Sequence, residues 1–106
     1  MKQSSYEAYG VFFETLASET RLRIINALRA GPLNQSQIIA ATKLEQSCAS
    51  HCTKKLLEHG FVTARKQGKF TVFELNHDTI EPLMNLIDKH TKAHCEHIVA
   101  KGRRHE

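Results

Sequence analysis

Hydrophobic positions recur along this chain at helical spacing, and past Gly60 they give way to runs rich in β-branched and aromatic residues. Tyr9, Phe12, Phe13 and Leu16 fall near a helical period, which predicts a helix over Tyr6–Leu16 with one apolar face. Ser18 is a suitable N-cap for a second helix carrying Leu22, Ile24, Ile25 and Leu28, with Arg21 where a capping box would place an acid. Gly31-Pro32 stops that helix. A short third helix opens at Asn34 and carries Ile38, Ile39 and Ala41. A fourth starts near Gln46, with an apolar stripe at Ala49, Thr53, Leu56 and Leu57 and an opposite face of Ser47, Ser50, His51 and Lys54. The last two read as a helix-turn-helix, and such a polar, basic face suits a helix laid in the DNA major groove. An ordinary helix pair of a small α domain would carry the same pattern.

After Gly60 the period changes. Phe61–Lys66 and Phe70–Leu75 are rich in β-branched and aromatic residues, with Gln67-Gly68 between them, which predicts a β-hairpin. Its tip is basic, with Arg65, Lys66 and Lys69. Lysines there can keep an edge strand soluble, or reach phosphates beside a groove. Asn76 or Asp78 then caps a long last helix, in which Ile80, Leu83, Met84, Ile87, Thr91, His94 and Ile98 recur at helical spacing until Gly102. So long a stripe implies packing against something beyond a small core, most simply a second copy of the chain. The expected architecture is a single domain over residues 1–106, mainly α with a small β-hairpin, in the order α-α-α-α-β-β-α, dimerising through its terminal helices.

Charge sharpens the partner. Lys and Arg number 15 against 11 acidic residues, a net +4, compatible with a polyanion. The basic residues gather at Arg21 and Arg23, Lys54 and Lys55, the hairpin tip, and the tail Lys101, Arg103 and Arg104. No apolar run approaches a membrane span and the N-terminus lacks a signal-peptide pattern, so the expected compartment is the cytoplasm, with no membrane partner. The 3 cysteines are an odd number, which argues against a disulfide framework and for packing, metal binding or redox sensing. No nucleophile–base–orienter set or phosphate-cradling loop is visible, so an enzyme is not expected.

Three motifs in order, Leu16–Ile24, Glu45–His51 and Arg65–Leu75, together with the element order, closely resemble the ArsR/SmtB family of winged-helix repressors. The likeness runs from about Tyr9 to Val99. It implies a homodimer that binds operator DNA and releases it when a metal, metalloid or reactive sulfur species reaches a sensing site. Ser47, Ser50 and His51 match the family's DNA-facing positions, and Lys66, Gly68 and Lys69 its wing. With them, Gln46, Lys54 and Lys55 complete the expected DNA-binding set. Two departures stand out: Thr53 where the family usually has Leu, and Lys43 where the inter-helix turn often has Gly.

Several places could hold an inducer. Asp88-x-His90 matches the opening half of the family's dimer-interface zinc-type site, but the positions eleven and fourteen residues after His90 are Lys101 and Arg104, which cannot ligate. The same helix offers His90, His94 and His97 along one stripe, with Asp88 or Cys95 as further ligands for Zn(II), Ni(II) or Co(II). If the helices pair antiparallel as in the family, His94 faces the second chain's His97 near an axis at Cys95. The other reading leaves His94 in the dimer stripe and the rest solvated. Cys48 and Cys52 lie one turn apart on the recognition helix. Their Cβ atoms, about 5–6 Å apart by helix geometry, are too far for an undistorted disulfide but near enough to share a soft ion such as As(III), Sb(III), Cd(II) or Pb(II). Alternatively Cys52 is a small core residue and Cys48 incidental. A third possibility is redox: a Cys95 intersubunit disulfide, or oxidant and persulfide chemistry at Cys48 and Cys95. The expected function is thus a metal- or metalloid-released repressor, with thiol-oxidation sensing or a non-DNA protein-interaction module as alternatives.

Overall fold

Short helices whose apolar stripes converge, followed by a hairpin, give a winged helix-turn-helix. The computed structural model describes residues 3–102. Arg103 and Arg104, grouped above with the basic tail, lie outside the described residues. The elements are α1 (Gln3–Leu16), α2 (Glu19–Leu28), β1 (Leu33–Asn34), α3 (Gln35–Thr42), α4 (Gln46–Glu58), β2 (Val62–Gln67), β3 (Phe70–Leu75), α5 (Ile80–His94) and α6 (Glu96–Ala100). They form two compact units, the first ending at Asn76 and the second beginning at His77.

In the first unit, α1 starts at Gln3 rather than Tyr6. It contributes Phe12, whose ring stacks on Phe61 at 5.0 Å between centroids. Tyr9 and Phe13 remain 50% and 63% exposed, so half of the predicted apolar face is left outside this unit's core. Ser18 caps α2 as expected, its Oγ accepting from the Arg21 amide at 3.3 Å. The half-buried Arg21 side chain turns back onto α1. Its Nε donates to the Thr15 carbonyl at 2.6 Å and a terminal nitrogen donates to the Glu14 carbonyl at 3.0 Å. A guanidinium on the last turn of α1 bonds its terminal carbonyls, Glu14's being shared with the Ala17 amide, and opposes the helix dipole. Arg21 is therefore a helix clamp and not part of a free basic patch.

Ile24, Ile25, Leu28, Ile38, Ala49, Leu56, Phe61, Val62 and Leu75 make the core. The α4 stripe differs from expectation at one place. Leu57 is 42% exposed, whereas Cys52 is 4% exposed. Positions 49, 52, 53 and 56 keep the three-to-four spacing, and Leu57, one residue on, rotates out of it. In the hairpin, Val62 pairs with Leu75 and Gln67 with Phe70, so the strand begins one residue later than predicted. Gly68 turns it at φ 64°. The two-residue β1 adds a third strand, pairing Leu33 with Phe73 and Asn34 with Val72 in the order β1-β3-β2. Two residues carry no periodicity, so nothing in the sequence pattern predicts this strand.

The second unit holds α5 and α6. The N-cap is Thr79 rather than Asn76 or Asp78. Asn76 instead donates its Nδ2 to the Gly60 carbonyl at 3.0 Å, tying the hairpin base to the turn after α4. The single long helix predicted here is two: α5 stops at His94, Cys95 takes φ −119° and ψ −32°, and α6 resumes at Glu96. No Pro or Gly marks the break. Among the described residues no helix is long and apolar enough to cross a membrane.

Candidate nucleic-acid interface

The reading head is built from three local devices. Asn34 and Gln37 form a reciprocal capping box: the Gln37 amide donates to Asn34 Oδ1 and the Asn34 amide to Gln37 Oε1, both at 2.9 Å. This fixes where α3 starts. Lys43 ends α3 in the left-handed region, φ 62° and ψ 21°, its amide donating to the Ile39 carbonyl at 2.8 Å. That reversal lets α4 begin at Gln46. Finally, buried Thr53 faces Gln35: its hydroxyl lies 3.2 Å from Gln35 Oε1 and 3.1 Å from the Ser50 carbonyl. A leucine there could fill the volume but could not bond to Gln35, which explains how threonine is accommodated.

With α4 so placed, Gln46, Ser47, Ser50, His51 and Lys54 are all exposed, and Lys55 is half-buried on the flank. Hydroxyls, an imidazole and an ammonium along one exposed helical face are donors and acceptors suited to base edges and phosphates. On the wing Lys66 and Lys69 are exposed, and the Lys69 ammonium sits 5.7 Å from the centre of the Phe70 ring. Phe70, half exposed, separates two clefts of about 440 and 370 Å³. Arg65 and Gln67 line the first, Gln35, Ser36 and Lys69 the second, and Asn34 lines both. The wing thus stands beside the amino end of α3, with Arg65 and Lys69 lining the clefts there.

Cys48 is half-buried and Cys52 buried, both on the side of α4 that packs on α2. The Cys52 thiol donates to Thr20 Oγ1 at 3.5 Å, and Thr20 Oγ1 lies 3.0 Å from Ser18 Oγ, the α2 cap. Partial burial pushes the Cys48 thiol above its ordinary value, the adjacent Cys52 and Glu45 add to the rise, and the Thr20 hydroxyl opposes it. Thr20 was not singled out from sequence; it lies 32 residues from Cys52, and only the α2–α4 packing joins them.

In the second unit the His90 and His94 rings lie 4.8 Å apart, tilted by 38°. His97 falls on α6, beyond the break at Cys95, so the expected continuous stripe is interrupted. Asp88 is exposed and Cys95 half-buried. Within one chain, no group of three or more His, Cys, Asp or Glu among the described residues could hold a metal.

Comparison with known proteins bears on this arrangement. The model of the bacterial regulatory protein arsR family matches residues 18–64. The chain is 34% identical over 85 residues to the HTH-type transcriptional regulator NmtR of Mycobacterium tuberculosis, spanning 80% of this chain and 68% of that one. It is 27% identical over 84 residues to the arsenical resistance operon repressor of Staphylococcus xylosus, spanning 79% and 81%. Among solved structures, the transcriptional regulator HlyU of Vibrio vulnificus superposes with a TM-score of 0.69 at 28% identity, covering 82% of this chain and 90% of that one. A homodimeric winged helix-turn-helix domain of Mycobacterium bovis superposes with a TM-score of 0.80 at 24% identity, covering 89% and 87%.

Proposed function

This chain belongs to the ArsR family of bacterial regulatory proteins, and we propose that it acts as a homodimeric repressor in the cytoplasm, released from operator DNA by a metal or metalloid ion held through Cys or His. The observation that carries the reading is the exposed row Gln46, Ser47, Ser50, His51 and Lys54 on a helix anchored by buried Ala49, Thr53 and Leu56, with Lys66 and Lys69 beside it on the wing. Two such heads on one dimer would engage two half-sites about one helical turn apart.

Dimerisation is supported by apolar surface that each unit leaves uncovered: Tyr6, Tyr9, Val11 and Phe13 on α1, and Leu86, Ile98 and Val99 in the second unit. The Mycobacterium bovis domain of similar fold is described as homodimeric. The inducer is a soft or borderline ion of the Zn, Cd, Pb, As or Ni class. Its ligands come from Cys48, Cys52, Cys95, Asp88, His90, His94 and His97, and two of the relatives are repressors of arsenical resistance operons. His90 and His94 already lie together and would need ligands from a second chain to complete a site. Oxidation sensing at Cys48 is the weaker alternative, since a thiol pushed up by burial holds less of the reactive thiolate.

The test is binding of purified protein to operator-length duplex across a salt series, alone and with a metal panel, alongside sedimentation. A dimer is expected whose affinity falls steeply with salt and drops further with one class of ion. A monomer, or binding indifferent to salt, would overturn the repressor reading in favour of a protein-interaction module.

A further inference from the structure

We propose that Phe70 is a minor-groove wedge: the wing inserts its ring at one base step of bound duplex and bends the DNA there. The protein then selects an easily unstacked step that α4 does not touch. The inference deepens the DNA-binding reading above and rests on it.

Position sets this ring apart. The exposed apolar side chains that support dimerisation lie on α1 and in the second unit, whereas Phe70 stands on the wing and is 50% exposed. It is the first residue of β3 and pairs with Gln67 across the turn at Gly68, the last rung of the hairpin before its tip. The ladder runs unbroken from Val62–Leu75 to Gln67–Phe70. The ring is therefore carried on a paired ribbon rather than on a loose loop.

Its surroundings define the partner. Phe70 is a wall shared by the clefts of about 440 and 370 Å³, with Arg65 lining one and Lys69 the other. An apolar ridge with a cation on each flank complements a groove with a phosphate backbone along each side. The Lys69 ammonium, 5.7 Å from the ring centre, sets charge directly beside the ridge. Lys66 is exposed on the same hairpin, and no acidic residue lies between Val62 and Phe73. Cations without an intervening acid match a polyanion.

The chemistry of the ring decides how it is used. It carries no hydrogen-bond donor or acceptor of the kind that reads base edges, so its gain comes from leaving water between stacked bases. The minor groove is about 6 Å wide and admits side chains rather than a helix. Apolar wedges there part a base step and kink the duplex by about 20–90°. The cost depends on the step, and pyrimidine–purine steps such as TA deform most readily. A preference for TA under the wing is thus selectivity by deformation, with no hydrogen bond to a base.

The test uses full-length protein and duplexes that the wild type selects from a random library, with the wing located by footprinting. The step beneath it is set to TA or GC. Bending is read by energy transfer between end dyes, and unstacking by 2-aminopurine placed in that step. Wild type should bend the TA duplex, brighten the 2-aminopurine and prefer TA to GC at least fivefold. Phe70→Ala should bind the TA duplex at least tenfold more weakly and lose the bend, the fluorescence and the preference. Its salt slope should match wild type, because no charge is removed. Phe70→Trp should retain all three signals. Circular dichroism checks each fold, and Phe70→Gln carries the same expectations should Phe70→Ala fail to fold. A straight wild-type complex, or a bend and preference that survive in Phe70→Ala, would overturn the wedge and leave the repressor reading standing. Weaker binding with a lower salt slope would also overturn it, since the ring would then act only by placing Lys69. A wild type that selects no duplex at any salt would remove the repressor reading and the wedge with it.

Discussion

Replacing Lys43 with glycine should make this protein more stable. Lys43 turns the chain between α3 and α4 at φ 62°, the only non-glycine positive φ among the described residues. Holding an L-residue with a Cβ in the left-handed region costs about 1–2 kcal/mol. Glycine has no such penalty but loses more backbone entropy on folding, about 0.5–1 kcal/mol. The side chain is exposed, so its removal forfeits no packing, and the amide bond to Ile39 O is kept. The first effect outweighs the second by roughly 0.5–1 kcal/mol, which for a domain near this size raises Tm by roughly 2–6 °C. Two controls isolate the backbone. Lys43→Ala keeps the Cβ and removes the charge, and should stay within about 0.5 kcal/mol of wild type. Ala41→Gly, at an exposed position inside α3, should lose about 1 kcal/mol. Calorimetry without DNA measures all three. A Lys43→Gly protein that melts at or below wild type would refute the reasoning, as would Lys43→Ala matching its gain, since the charge rather than the turn would then be responsible.

Other outcomes follow from the same geometry. Leu56→Ala, at a fully buried site, should cost about 2–5 kcal/mol in urea unfolding, and Leu57→Ala should be nearly neutral; equal costs would contradict the observed stripe. Arg21→Ala should destabilise by about 1.5–3 kcal/mol through its charge-assisted bonds to Thr15 and Glu14, while leaving the salt slope of DNA binding unchanged. Arg23→Ala breaks only an exposed 4.0 Å pair with Glu19 and should cost under about 0.5 kcal/mol. Lys69→Ala should weaken binding to all duplexes alike and lower the salt slope by about one, measured by anisotropy; a change in sequence preference instead would place Lys69 on a base edge. Cys48, its thiol raised by burial, should alkylate with iodoacetamide more slowly than free cysteine at neutral pH, the rate climbing only as pH passes the ordinary thiol range.

What the sequence determined by itself was everything written in periodicity and local chemistry. Helical spacing marked the helices, β-branched and aromatic residues around Gln67-Gly68 marked the wing, and Ser18 and Asn34 act on amides three residues away, as their side chains dictate. The polar row from Gln46 to Lys54 was legible because residues three and four apart share a helix face. Tertiary structure decided what depends on residues far apart in the chain. It turned Arg21 from a basic-patch candidate into a clamp on α1, set Leu57 outside the core and Cys52 inside it, and added β1 through pairing with β3 some forty residues away. It also brought Thr20 to the Cys52 thiol. A local pattern fixes which face of an element is apolar, but which residues meet across two elements is settled only when the elements pack.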